Sequence, residues 1–236
     1  IEEIAAICRI KNVPFHTDAV QTAGKLKLDV KAMGVDFLSL SAHKLHAPKG
    51  IGLLYVRQGV PWQPYVIGGG QESGRRGGTE NVAYIVAFGK AAELAMVSVE
   101  NDVDRIRALR NRMENVIMES IPGVTRNGAK EPRLPNTSNL NFADCEAEAI
   151  LLLLDREGIC ASSGSACTTG SLAPSHVLIA MGVPPENALC SVRLSLSKYS
   201  TDAEVDLLLE TLPPIIEKLR GASPKASATA AQEISQ

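Results

Sequence analysis

Val13-Pro14-Phe15-His16-Thr17-Asp18 and Asp36-Phe37-Leu38-Ser39-Leu40-Ser41-Ala42-His43-Lys44 are the two runs that decide the fold of this chain. The first follows a helical rhythm of Ile1, Ile4, Ala5, Ile7 and Cys8 that Lys11-Asn12 breaks, so a helix leading into a short strand is expected. The second reads as a buried strand, preceded by a helix-like connection from Asp29 to Met33 that stops at Gly34. Asp18 and Lys44 therefore close two strands separated by one strand-helix-strand crossover, which opens both onto the same edge of a parallel sheet. Gln21, three residues past Asp18, faces the same crevice. Residues 51–56 form a third apolar strand candidate introduced by Pro48-Lys49-Gly50. The expected class is α/β, with a mainly parallel sheet flanked by helices.

The composition fits a soluble globular protein of one or two domains: 236 residues, 45% hydrophobic, 21% charged, net charge -2. Lys and Arg are scattered, and the nearest thing to a basic cluster, Arg75-Arg76, sits in a glycine-rich loop, so a phosphate or carboxylate suits this chain better than a duplex. No apolar run reaches the roughly 18 residues a bilayer demands, and no membrane association is expected. Cys8, Cys145, Cys160, Cys167 and Cys190 show neither CxxC pairs nor the dense spacing of a disulfide scaffold, and a reducing cytoplasm is the expected compartment. No intrinsic metal site is expected either: Cys160 and Cys167 are too far apart for a zinc pair, and His176 is the only imidazole near them.

Along the rest of the chain, Gly68, Gly69, Gly70, Gly74, Gly77 and Gly78 accompany Arg75 and Arg76 just before a helical pattern that begins near Asn81. Amides at a helix start beside the Thr79 hydroxyl make a phosphate seat, though the loop matches neither a dinucleotide fingerprint nor a Walker A sequence. Residues 81–120 read as one long or two consecutive helices, with Asp102, Asp104, Arg105, Arg107, Arg110 and Arg112 on a solvated face. A smaller α/β unit follows. It has a strand at 138–142, a helix at 146–154, a short strand at 159–161, a helix at 174–181, a strand at 192–196 and a closing helix at 202–219. The expected division is the C-terminal part of a larger α/β domain at 1–98, a small domain at 99–220 and a disordered Ala/Ser/Thr-rich tail at 221–236.

Within the small domain, Ser162-Ser163-Gly164-Ser165-Ala166-Cys167-Thr168-Thr169-Gly170 sets one thiol among small polar residues that cannot pack a core. A loop at 162–170 that exposes Cys167 on a mobile arm suits a nucleophile that must travel. On composition alone it is equally a surface loop with an incidental cysteine.

Asp18, Gln21 and Lys44 form the constellation expected of a pyridoxal phosphate site. A lysine amine makes a Schiff base, a carboxylate keeps the pyridine nitrogen protonated, and an amide bonds the ring's phenolic oxygen. Four motifs in order extend this reading: His16-Thr17-Asp18-Ala19-Val20-Gln21, Ser41-Ala42-His43-Lys44 followed by Pro48-Lys49-Gly50, Gly77-Gly78-Thr79-Glu80-Asn81, and 162–167. Together they resemble the cysteine desulfurases of the NifS/IscS type, over residues 1 to about 219. The resemblance implies a homodimeric fold-type I pyridoxal phosphate enzyme that passes sulfur from L-cysteine to an iron-sulfur scaffold or other acceptor protein. It makes Lys44 the Schiff-base lysine, Asp18 the pyridinium partner and Gln21 the ring-oxygen donor. Ser41 and His43 contact the phosphate, and Thr79 reaches the phosphate in the other subunit. Arg193 grips the substrate carboxylate. Cys167 receives sulfur as a persulfide, and is also the one candidate for transient iron-sulfur ligation. The wording around Thr79-Glu80-Asn81 and at 171–176 is closer to NifS than to IscS.

One departure is large. The family's opening segment supplies the first strands, a glycine/threonine phosphate loop, a ring-stacking histidine and an asparagine, and none has a match here. The chain opens in mid-helix without Met, so a fragment or an incomplete gene product is expected, binding the cofactor weakly or not at all by itself. The rival readings are a lyase acting on selenocysteine or cystine, which would not require Cys167, and a non-catalytic scaffold that binds an assembly partner.

Overall fold

The computed structural model describes residues 1–163 and 173–222, so residues 164–170 of the expected loop at 162–170 and most of the expected tail lie outside the described residues. The chain divides into two compact units, Ile1–Val103 and Asp104–Gln236.

In the first unit, helix α1 (Glu2–Ile10) leads into strand β1 (His16–Asp18). A short helix α2 (Val30–Met33) precedes strand β2 (Phe37–Ser41). Asp29 caps α2 by accepting from the Lys31 and Ala32 amides at 2.9 and 3.0 Å, and Gly34 ends it in the left-handed region at φ 68°. β1 and β2 pair in parallel, with Asp18 opposite Ser39. Strand β3 (Gly52–Val56) pairs with β2 antiparallel, Ser41 opposite Gly52. This third strand departs from the mainly parallel sheet expected. The ten residues between Ser41 and Gly52 are too few for a parallel crossover, which takes a dozen or more and usually a full helix. Asp36 ties the three strands at one end, accepting from the Phe15 amide at 2.8 Å and from the Arg57 guanidinium.

Two small cores build this unit. Ala19, Met33, Val35 and Leu38 are buried with Phe15, Val30 and Tyr55 against them. Ala23, Ala42, Leu45, Phe88, Ala91 and Ala95 form the second. Its last three residues come from helix α4 (Val82–Asn101), which follows a helical turn α3 (Gln71–Gly74). Contrary to the sequence reading of apolar runs, α4 is by length and composition apolar enough to cross a bilayer, with a mean hydropathy of 1.6 over an 18-residue window. Lys90 and Glu93 interrupt it as an exposed ion pair at 2.7 Å, and its small residues pack the second core.

In the second unit an antiparallel sheet runs β4 (Val124–Arg126), β5 (Thr137–Phe142), β6 (Ser191–Ser195), in that order. Helices α5 (Val103–Ser120), α6 (Ala147–Arg156) and α9 (Asp202–Gly221) bury Met113, Ile117, Ile150, Leu154, Leu208, Leu212 and Ile216 against Leu140, Phe142 and Val192 of the sheet. Short helices α7 (His176–Ala180) and α8 (Pro185–Leu189) lie between α6 and β6. The strand expected at 159–161 is reduced to one bridge between Ser162 and Arg193. In this unit β4 and α8 go beyond the sequence reading, as the turn α3 does in the first.

Arg110 corrects the solvated face assigned to α5, because its side chain is fully buried. Its guanidinium donates to Glu131 at 3.0 Å and to the Leu134 and Thr137 carbonyls at 3.3 and 3.4 Å. Beside it on α5, Glu114 accepts from Arg126, Arg133 and Ser138 at 2.6 to 2.9 Å. A buried cation and a buried anion one turn apart persist there because each has hydrogen-bonded partners on other elements.

Candidate functional site

The parallel pairing brings Asp18 and Ser39 side by side, so the ends of β1 and β2 open at one edge of the sheet. Past Asp18 the chain makes a helical turn, with the Ala23 amide on the Ala19 carbonyl and the Leu26 amide on the Thr22 carbonyl, both at 3.0 Å. Asp18 starts this turn itself, one carboxylate oxygen accepting from the Val20 amide at 2.9 Å. Its other oxygen carries no hydrogen bond among the described residues. Gln21, exposed on the turn, takes the Lys25 ammonium on its backbone carbonyl at 2.8 Å and on its amide oxygen at 3.2 Å. The Gln21 amide nitrogen is left with its donors uncommitted among the described residues.

Past Ser41 the chain tightens into a 3-10 turn, Ala42–Leu45, which ends at His46 in the left-handed region. Ala42 and Leu45 point into the core while His43 and Lys44 are exposed, so the turn delivers Lys44 to the sheet edge by burying its neighbours. The Ser41 hydroxyl and His43 Nδ1 are hydrogen bonded at 2.8 Å, and Nε2 carries no hydrogen bond among the described residues. The two turns touch at Gly24, whose φ is +71°, and a Cβ there would stand 2.7 Å from Leu45 and 3.3 Å from Ala95. Only glycine allows this approach. It sets Lys25 near Lys44: burial first, and then the Lys44 charge, push the Lys25 ammonium below its ordinary range.

This donor set matches pyridoxal phosphate in its chemistry. Asp18 offers an acceptor for a protonated ring nitrogen, Gln21 a donor for a phenolic oxygen, Ser41 and His43 donors for phosphate, and Lys44 an exposed amine.

Other sequence candidates lie elsewhere. Thr79 is exposed between Gly78 and Asn81, and Asn81 caps α4 by accepting from the Tyr84 amide at 3.3 Å. The glycine loop before it closes on itself, the Gly77 amide donating to the Val66 carbonyl at 2.9 Å and the Gly78 amide to the Gln71 side chain at 3.0 Å. Arg193 lies on β6 in the second unit, half-buried, and its guanidinium has no partner among the described residues. Its backbone exchanges hydrogen bonds with Ser162 at 2.6 and 3.2 Å, so the chain passes Arg193 just before residue 164. Cys167 lies outside the described residues. Among the described residues, Cys8, Cys145, Cys160 and Cys190 form no disulfide with one another. The sequence assigns no role to Lys25; its one signal is the four-residue step from Gln21 on a turn.

Comparison with known proteins gives concordant results. A family described as Aminotransferase class-V matches residues 1–208. A protein named cysteine desulfurase 2 from Trichormus variabilis is 53% identical over 224 residues, which are 95% of this chain and 56% of that protein. Cysteine desulfurase NifS of Azotobacter vinelandii is 49% identical over the same shares. The X-ray structure of a NifS-like protein from Rickettsia africae superposes with a TM-score of 0.83 at 33% identity, covering 92% of this chain and 57% of that one. The α/β fold expected from the sequence is that of these NifS-like structures, and the chain spans just over half the length of the curated relatives it matches.

Proposed function

Because this chain belongs to the class-V aminotransferase family, we propose that the protein is a pyridoxal-phosphate-dependent cysteine desulfurase. The observation that carries the reading is the edge of the β1–β2 pair, where Asp18, Gln21, Ser41, His43 and Lys44 offer one donor set. Asp18 would hold the cofactor's ring nitrogen, Gln21 its phenolic oxygen, Ser41 and His43 its phosphate, and Lys44 its reactive carbon. When bound, the cofactor supplies an electron sink for the pair released at the substrate's Cα.

The chain's own residues do the rest. Arg193 binds the carboxylate of L-cysteine through a forked pair of hydrogen bonds, for which its guanidinium is uncommitted among the described residues. Lys44 Nζ takes the Cα proton and returns one to Cα once the sulfur has left. The Cys167 thiolate attacks the substrate sulfur: the Sγ–Sγ bond forms as the Cβ–Sγ bond breaks, and the carbon fragment keeps that electron pair and gains a proton as the methyl group of L-alanine. Cysteine and one thiol become alanine and one persulfide, and no outside oxidant or reductant is consumed. Cys167 then passes the sulfur to an iron-sulfur scaffold or another acceptor protein. The protein works in the cytoplasm as a homodimer in which Thr79 reaches the phosphate bound by the partner subunit. That Cys8, Cys145, Cys160 and Cys190 form no disulfide with one another among the described residues suits a reducing compartment.

The test is alanine release from L-cysteine by the protein as its gene encodes it, supplied with pyridoxal phosphate. The parent releases alanine and Lys44→Ala does not. Alanine release that survives Lys44→Ala would overturn the proposal.

A further inference from the structure

We propose that Lys25 is a positioning residue for Gln21: it holds the Gln21 amide oxygen so that the amide N–H groups face the crevice as donors to the cofactor's phenolic oxygen. This rests on the pyridoxal phosphate reading above and deepens it.

A primary amide can present either its oxygen or its nitrogen to a neighbour, but an ammonium only donates. The Lys25 contacts to the Gln21 carbonyl and amide oxygen, at 2.8 and 3.2 Å, therefore decide which end of the amide is held and which end is free. Rotating the amide would set its N–H groups against the ammonium. No carboxylate forms an ion pair with Lys25 among the described residues, and the charge that bears on it is that of Lys44. A half-buried ammonium beside a like charge is costly, and the two Gln21 oxygens are the acceptors that meet that cost. The backbone beneath is fixed by Gly24, which packs against Leu45 and Ala95 with no room for a side chain, so Lys25 and Gln21 cannot drift apart with the turn. Asp18 opens the same turn through the Val20 amide, so one turn aligns the ring-nitrogen and ring-oxygen partners.

The test is a pH titration of the cofactor's visible absorption band in the loaded protein as its gene encodes it. Donors on the phenolic oxygen stabilise its negative charge and favour loss of the proton it shares with the neighbouring nitrogen, so losing them moves the midpoint to higher pH. Lys25→Met raises the midpoint by about one pH unit, a tenfold effect and the size of one hydrogen bond to a charged group. Gln21→Leu shifts it in the same direction, the double variant shifts it no further than Gln21→Leu, and Lys25→Arg keeps the parental midpoint. A parental midpoint in Lys25→Met overturns the proposal, and so do additive shifts, which would mean that Lys25 acts through its own charge. A parent that shows no band on loading overturns the cofactor reading itself, and this inference with it; a band with an indifferent Lys25 overturns the inference alone.

Discussion

Replacing Glu114 by Gln removes the negative charge that α5 buries among arginines. Its side chain is 2% exposed, while Arg126 and Arg133, which donate to it, are 20% and 15% exposed. Burial pushes the carboxyl up, but the hydrogen bonds from Arg133, Ser138 and Arg126 outweigh it and hold the pKa at about 2, against an ordinary 4.5. A carboxyl depressed in the folded state adds stability that is present above its unfolded pKa and is lost as pH falls through the folded one. The window here runs from 4.5 down to about 2, and the linked stability at neutral pH is about 3 kcal/mol. Glu114→Gln leaves two guanidiniums without counter-charge, which costs a similar amount, about 3 kcal/mol or more. With a urea slope of about 1–3 kcal/mol per molar, the midpoint should fall by about 1–3 M at pH 7. Urea unfolding followed by circular dichroism from pH 7 to pH 2 measures it, and the gap between parent and variant should close through the window. A gap at pH 7 below about 0.5 kcal/mol, the usual range of a surface substitution, or one that stays constant down to pH 2, would refute the reasoning.

Two further substitutions probe the architecture beneath the site. Gly24→Ala introduces a Cβ 2.7 Å from Leu45 at a φ of +71°, and should lower stability by about 1–3 kcal/mol in a thermal melt while weakening cofactor binding; a melt within a degree of the parent would show that the two turns do not need this contact. Thr201→Ala removes the capping box that Thr201 makes with Glu204 at the start of α9, and should cost about 1 kcal/mol by urea unfolding, an effect absent if the helix start is held by its core contacts alone.

Much of the first unit was legible because its strands are short, apolar and separated by punctuation. Asp18 and Lys44 could be set at strand ends from Lys11-Asn12, Gly34 and the buried-strand pattern around Leu38 and Leu40, and the structure pairs those strands in parallel. The direction of β3 was not legible from apolar pattern alone, since a buried strand reads the same either way; the length of its connection is what decides it. The fate of Arg110 was hidden for a different reason. Charge alternation on α5 looks like a solvated face, and only the tertiary partners Glu131, Leu134 and Thr137 reveal that one member points inward. β4 escaped notice because three residues, Val124–Arg126, are too few to show a period and gain their identity by pairing with β5. Lys25 was hidden because its partner is a single residue four back on an irregular turn, met through backbone and side-chain oxygens, a contact that hydrophobic periodicity does not encode.

The central claim is that Cys167 takes sulfur from L-cysteine, and the most direct measurement is where that sulfur goes. The protein as its gene encodes it, loaded with pyridoxal phosphate, is given L-cysteine without an acceptor; alanine is quantified and the peptide carrying Cys167 is weighed by mass spectrometry. The account predicts alanine release together with a Cys167 peptide heavier by one sulfur atom, and loss of both in Cys167→Ser. Alanine and bound sulfide formed by Cys167→Ser at the parental rate, or sulfur carried on Cys160 instead, would contradict it.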